Sequence, residues 1–243
     1  MVFNIHLSTV DSTNTVAKGL LKEYDHVVVS ADLQTHGRGR NGKSWHGDAY
    51  KNVYISFGYR HQNHTKYPTG LQAMIVPTLS VLDVLRLRVP NTAFRCKYPN
   101  DVQARDDSSW KKISGSLVEH EFNGGVCTNT IIGIGLNTLQ TTFPETITQP
   151  CTSLALLGHS TPIEELRWDI IQAVNRRGSQ NPDELFQVWK RELDIEAAVI
   201  YVVGEQGQWT VREVLGDGRL LIQHNALHHT RVIDNGDTLR YND

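Results

Sequence analysis

Cysteine is scarce in this 243-residue chain: Cys96, Cys127 and Cys151 are the three instances. An odd, widely spaced set without C-x-x-C excludes a zinc ribbon or a disulfide scaffold and suits free thiols in a reducing compartment. An excess of one charge is also missing, since 24 lysines and arginines against 26 acidic residues give a formal net charge of −2. With a pI near 6.6, a general nucleic-acid coat is excluded, and any basic site must be local. No apolar run approaches the ~20 residues that span a bilayer, so no membrane association is expected. The first six residues carry neither a basic n-region nor an apolar h-region. No secretory signal is therefore read, and an intracellular setting is expected, with cytoplasm the default and mitochondrion open. Repeats and low-complexity tracts are lacking too. The length allows one large domain or a large and a small one.

What is present begins with Gly37–Ser44, GRGRNGKS. Gly37, Gly42, Lys43 and Ser44 fit G-x-x-x-x-G-K-S/T, while Gly37, Gly39 and Gly42 fit G-x-G-x-x-G. Either string holds phosphate only when a helix opens directly from the loop, because the helix N-terminus supplies the N–H groups and the dipole. A strand over Val27–Ala31 precedes this loop, but no helix is expected after it. Trp45 to Asn52 has an early glycine and no 3.6-residue period, and Val53–Phe57 alternates as another strand. Arg38 and Arg40 add side-chain cations between the glycines. The better reading is a mobile, basic, strand-to-strand loop that binds an anion.

Around this loop the elements can be laid out. Asp11–Asn14 is a cap-rich start for a helix through Val16, Ala17, Leu20 and Leu21. Helical spacing recurs from Thr69 to Leu87, with Pro77 predicting a kink or a late start. Strands are expected over Ala93–Val102, Ile113–Phe122 and Val126–Leu136. The last two are joined by the hairpin turn Asn123-Gly124-Gly125, and 106–109 reads as an exposed turn. Thr161-Pro162-Ile163-Glu164 and Asn181-Pro182-Asp183-Glu184 each give a cap, an N1 proline and an early acid, so two more helices are predicted. Beyond about Leu193, five short alternating runs (Val199–Val203, Trp209–Val214, Leu220–Gln223, Thr230–Ile233, Thr238–Tyr241) with glycine turns predict a small β-barrel. His224, His228 and His229 lie there with no acidic or cysteine partner at ligand spacing. They read as surface histidines, and no metal-ligating set is assigned.

A second constellation is Lys97-Tyr98-Pro99-Asn100-Asp101, followed by Lys111-Lys112-Ile113-Ser114-Gly115. Proline ends a strand, so Asn100 and Asp101 should sit where a strand opens into a loop. Strict alternation puts Ile113, Gly115 and Leu117 on one face and Lys112, Ser114 and Ser116 on the other. Taken alone, a Lys-Lys pair is most often solvated surface and Asp101 a turn residue.

Read together, the segments change those odds, because the chain resembles the biotin protein ligase family nearly end to end. The family's D-S-T-N stands at Asp11–Asn14, and its Gln with G-R-G-R-x-G-x-x-W at Gln34 and Gly37–Trp45. K-W-P-N-D stands at Lys97–Asp101 with Tyr98 for tryptophan, K-L-A-G-I-L-V-E at Lys112–Glu119, and I-G-x-G-I-N at Ile132–Asn137.

The resemblance implies an α+β fold: a class II synthetase-like mixed β-sheet with helices, residues 1–192, and an SH3-like β-barrel, residues 193–243. It implies ATP, biotin and Mg2+ as ligands, and as partner the biotin-acceptor domain of a biotin-dependent carboxylase. Biotin would be activated as biotinyl-5'-AMP and transferred to a lysine of that domain. Ser12, Thr13 and Gln34 would hold the ureido head. The loop carrying Gly37, Arg38, Gly39, Arg40 and Trp45 would fold over biotin and nucleotide, with Asn100 also among the binding residues. Lys112 would contact the biotin carboxylate and the α-phosphate, Gly115 would leave room for the ligand, Asn137 would lie against the nucleotide, and Asp101 would sit near the acceptor lysine. Lys112, Arg40 and Asp101 are thus the expected catalytic set, with Lys43 adding charge. Extra residues between Asp101 and Lys112 leave Lys111 as an alternative to Lys112. Residues 1–10 have no room for the DNA-binding domain of the repressor-ligases, so no operator binding is expected. A monomer and a homodimer both stay open. The rivals are a lipoate or octanoate ligase, a non-catalytic adenylate sensor and a P-loop NTPase. The first should show consecutive glycines in its substrate loop, and the second needs no phosphate cations.

Overall fold

The computed structural model describes residues 2–61, 68–106, 109–234, 236 and 239–241. Its larger part is a seven-stranded sheet in the order β1-β2-β3-β7-β6-β5-β4. The strands are β1 (Phe3–Val10), β2 (His26–Gln34), β3 (Asn52–Arg60), β4 (Phe94–Lys97), β5 (Asp101–Arg105), β6 (Trp110–Asn123) and β7 (Val126–Asn137). β1 and β2 are parallel, joined by the crossover helix α1 (Thr13–Leu20), and every other neighbouring pair is antiparallel. β1 was not anticipated: it is an edge strand, half exposed and mostly polar on one face, so its apolar signal is thin.

The period of two in the strands sorts side chains between two cores. Val27, Val29 and Ile131 face α1, where they pack with Ala17 and Leu21. Val28, Ile132, Ile134 and Leu136 face the opposite way, into the main cluster. That cluster is covered by α2 (Gly70–Arg88), α3 (Ile163–Gly178) and α4 (Pro182–Leu193).

α2 is apolar enough by length and composition to pass for a membrane span, yet 61% of its window is buried inside the protein. It is the central core helix, which explains an apolar stretch not broken by a polar face. The helix starts at Gly70 and runs through Pro77, so the late start expected from proline does not occur. α3 begins one residue later than predicted. Pro162 occupies the cap position and makes no side-chain bond, so only the acidic first turn of Glu164 and Glu165 supports this end. α4 matches its signal, with Asn181 Oδ1 accepting from the Asp183 and Glu184 amides at 2.8 and 3.3 Å.

The expected single strand Ala93–Val102 is two strands. β4 and β5 form a tight hairpin around Tyr98-Pro99-Asn100, with Lys97 opposite Asp101. Proline was read as a strand end, but strands of four and five residues on either side were too short to show a reversal by periodicity. Asp107 and Ser108 of the predicted exposed turn lie outside the described residues.

After α4 come β8 (Val199–Val202), β9 (Trp209–Val214), β10 (Leu220–His224), β11 (Thr230–Ile233) and β12 (Leu239–Tyr241). They make one curled antiparallel sheet in the order β11-β10-β9-β8-β12. The positions are those predicted, apart from Asn235, Asp237 and Thr238, which lie outside the described residues. Its inward residues, among them Ile200, Trp209, Val211 and Ile222, belong to the same buried cluster as the main sheet.

Where β3, β6 and β7 meet, Thr130 Oγ1 lies 2.8 Å from His61 Nε2 and 2.9 Å from His120 Nδ1. Burial pushes both imidazole pKa values below 6.5, and at His61 the neighbouring His120 adds to the effect. The folded state therefore takes up these protons at lower pH than the unfolded chain does. Stability from this pair is fully present above 6.5 and falls as pH drops below it. Urea unfolding at pH 7.5 and 5.5 is expected to show lower stability at the acid pH, with the difference reduced in the double variant His61→Gln/His120→Gln.

Candidate active site

The α1 face of the sheet carries a cavity of about 420 Å3. It exists because β7 alternates isoleucine with glycine. Ile132, Ile134 and Leu136 fill the main core, so the odd positions Gly133 and Gly135 present bare backbone to the other face. A Cβ on Gly133 would lie 2.4 Å from Asn14 Oδ1, and one on Gly135 2.5 Å from Trp45 Cε2. The glycines of this motif thus seat an α1 side chain and the aromatic that closes the basic loop.

Polar groups at the start of α1 meet the end of β2. Gln34 Oε1 accepts from the Thr13 amide at 2.8 Å and from Thr13 Oγ1 at 3.0 Å. Ser56 Oγ lies 2.7 Å from Thr13 Oγ1 and 2.6 Å from Asn14 Oδ1. Ser12, Thr13 and Asn14 are each under 5% exposed, so this end of the cavity is a preorganised polar socket rather than a solvated helix end. The Asn14 amide orientation is set by its other bond, donated to Glu119 Oε2 at 2.6 Å.

The basic loop runs from β2 to β3, and the one helical turn within it is the short 3₁₀ segment Arg40–Gly42. No α-helix opens from it, so both phosphate-loop strings are rejected on structure as they were on sequence. The loop folds on itself, with Gly39 N–H donating to Lys43 O at 2.7 Å and Trp45 N–H to Gly37 O at 2.9 Å. Arg40 reaches across the cavity mouth and donates to Asn100 Oδ1 at 2.9 Å. Arg38 turns to the opposite side, where Nη1 donates to Thr15 Oγ1 at 3.0 Å and Nη2 pairs with Glu119 at 3.1 Å. Gly37 does not line the cavity; a Cβ there would strike Trp45 O at 2.5 Å, so its role is to let the loop close.

Lys112 departs from the face assigned to it. Gln103 pairs with Lys112 and Val102 with Ser114, so Ile113 is an extra residue in β6. This bulge breaks the alternation and brings Lys112 to the same face as Gly115, whose added Cβ would meet Lys112 Nζ at 2.9 Å. Strict alternation therefore gave the wrong face. The displaced backbone is held by a neighbouring segment: Lys112 N–H donates to Pro150 O at 2.8 Å and Thr152 N–H to Lys112 O at 2.9 Å. Lys112 Nζ pairs with Asp101 Oδ1 at 2.7 Å and stands 5.4 Å from the Trp45 ring centroid. Lys111 instead pairs with Asp106, away from the cavity, which separates the two candidate lysines.

Ser12, Thr13, Gln34, Arg38, Gly39, Arg40, Trp45, Asn100, Asp101, Lys112, Gly115 and Asn137 all line the one cavity. Asn137 Nδ2 donates to Thr152 O at 3.0 Å, fixing its side chain at the far end. Sequence reasoning missed the opposite wall, Phe143, Thr146 to Gln149 and Cys151, which has no periodicity and no motif. It named Lys97 within a motif but gave it no role; burial lowers its amine pKa and Asp101 partly opposes the shift. Tyr98, standing for tryptophan, packs against Trp189 with ring centroids 6.3 Å apart, and Gly236 of the C-terminal segment abuts the Tyr98 carbonyl. Among the described residues no three His, Cys, Asp or Glu side chains converge on a metal position. Asp101 is the single carboxylate among the described residues of the lining, beside the side-chain cations Arg38, Arg40, Lys43, Lys97 and Lys112.

A family model described as the biotin/lipoate A/B protein ligase family matches residues 7–137. The biotin–[acetyl-CoA-carboxylase] ligase of Mycobacterium tuberculosis is 30% identical over 232 residues, covering 89% of this chain and 80% of that protein. The bifunctional ligase/repressor BirA of Escherichia coli is 32% identical over 134 residues, 54% of this chain and 39% of its own. The biotin protein ligase of Aquifex aeolicus in complex with biotin and ATP superposes with a TM-score of 0.73 at 27% identity, over 98% of this chain and 99% of that one.

Gly135→Ala is expected to displace the Trp45 ring or to cost about 1–3 kcal/mol by overpacking. Tryptophan emission and the unfolding midpoint report the two outcomes. Gly216→Ala, with nothing within 4 Å of the added carbon, serves as control. Neither quantity changing at position 135 would mean the ring does not rest on this glycine.

Proposed function

The chain belongs to the biotin/lipoate A/B protein ligase family as a biotin–protein ligase, and we propose that it works through biotinyl-5'-AMP. In the first half-reaction a biotin carboxylate oxygen attacks the α-phosphorus of ATP and pyrophosphate leaves. In the second, the amine of a lysine on a carboxylase's biotin-acceptor domain attacks the acyl carbon, an amide forms and AMP leaves. The observation that carries this reading is the position of Lys112. The bulge in β6 sets its ammonium over Gly115, between the polar socket and the basic loop.

The socket of Ser12, Thr13 and Gln34 suits a ureido head, which offers one carbonyl acceptor and two N–H donors. A cavity of about 420 Å3 lies in the range of small-molecule and cofactor sites. Two anions must approach for adenylation, so the task is positioning and neutralisation rather than covalent chemistry. Lys112 and Arg40 supply the charge with Lys43 and Arg38 in the same loop, and Trp45 and the loop glycines cover the ligands and keep water from the mixed anhydride. Asn100 fixes Arg40, and Asn137 marks the nucleotide end. Asp101 holds Lys112 in the ligand-free protein. Once Lys112 turns to the phosphate, Asp101 is free to orient the incoming lysine and accept its proton. ATP is taken to bring Mg2+ on its phosphates.

The curled sheet from β8 to β12 is read as an SH3-like barrel, residues 193–243, beside a catalytic domain of residues 1–192. The basic G-R-G-R loop favours biotin over lipoate or octanoate as the acid.

Lys112→Ala is expected to abolish biotinyl-5'-AMP formation, followed by mass spectrometry of the acid-quenched reaction, with the fold intact by circular dichroism. Near-normal adenylate yield would remove the role from this lysine. Arg40→Ala, losing a charged hydrogen bond, should cost about 1.5–3 kcal/mol of transition-state stabilisation. The kcat/KM of the first half-reaction measures it, and an unchanged value would leave Arg40 without a role in closure.

A further inference from the structure

Glu119 takes no part in the chemistry above, although it touches two parts of the site that the fold would otherwise leave independent. It follows Gly115 and Leu117 along β6, just beyond the cavity lining. One carboxylate oxygen, Oε2, accepts from Asn14 Nδ2 at 2.6 Å, and both oxygens lie 3.1 Å from Arg38 Nη2. Asn14 in turn is locked from its other end, since its Oδ1 lies 2.6 Å from Ser56 Oγ and under the bare backbone of Gly133. The socket and the loop thus share one carboxylate.

We propose that Glu119 is a positioning residue of this reaction, latching Arg38, and with it the basic loop, to the floor of the socket that takes the biotin head. The inference rests on the ligase reading for its catalytic consequence, but the latch itself is a property of the ligand-free chain. Glu119 and Arg38 are about two-fifths exposed, at 38% and 44% of their side-chain surface. A pair of that exposure adds little to global stability. It is enough to bias a surface loop between two nearly balanced positions, where a few-fold change in population is a functional change. A carboxylate is needed rather than any acceptor. A glutamine here could still offer one oxygen to Asn14 and Arg38, but it would carry no charge and would turn an amide NH2 toward the guanidinium in place of Oε1.

The test uses ligand-free full-length protein. Glu119→Gln should raise tryptic cleavage after Arg40 and Lys43 about fivefold, the scale expected for a half-exposed ion pair, with the cooperative unfolding transition unchanged. Added salt should speed cleavage of the wild type and leave the variant indifferent, because only the ion pair is screened. With biotin and ATP, biotinyl-5'-AMP should escape faster from the variant by a similar factor, and in the ligand-free protein adding Arg38→Gln should raise cleavage no further. Wild-type cleavage rates in Glu119→Gln, or a ligand-free cleavage effect that multiplies with Arg38→Gln, would overturn the latch even if adenylate formation is intact. Faster, salt-insensitive cleavage in a protein whose wild type makes no adenylate would support the latch and sink the ligase mechanism instead.

Discussion

Gly133 and Gly135 leave a strip of β7 without side chains, and Asn14 and Trp45 occupy it from opposite sides. A methyl group at either position would collide with them, so α1 and the basic loop can approach the sheet only because that strip is bare. The cavity is what lies between the two. The same strand turns Ile132, Ile134 and Leu136 into the main core, so one short run secures the hydrophobic anchorage of the site and keeps its floor open.

Around that floor each of three cations has a partner within the protein. Lys112 with Asp101, Arg40 with Asn100 and Arg38 with Glu119 each satisfy a cation while no anionic substrate is bound. A cation already held in place needs little reordering to meet a charge that develops beside it. The β6 bulge is the device that brings Lys112 into this set, and the strand-like segment around Cys151 stabilises the bulge by taking over its backbone hydrogen bonds.

Much of this was legible in the sequence, for reasons that differ from residue to residue. Asn181 and the glycine turns of the last five strands are local signals, and local chemistry reads well in one dimension. The motif residues converge on a single cavity because short polar and glycine-rich strings mark strand ends, where a sheet delivers side chains to a site. What escaped was non-local. The reversal at Pro99 and the extra residue at Ile113 alter facing without altering composition. β1 is half exposed at a sheet edge, and the wall from Phe143 to Cys151 is held by backbone contacts that leave no periodic trace. Glu119 carried no sign of its task beyond a place in a motif, because its partners lie 81 and 105 residues away.

Biotin-dependent exchange of labelled pyrophosphate into ATP, run beside lipoate and octanoate, tests the central claim most directly. Exchange with biotin and with neither other acid is the predicted result. Exchange with lipoate or octanoate in place of biotin would contradict the assignment of the socket while keeping the adenylation chemistry. No exchange with any of the three would contradict the mechanism itself.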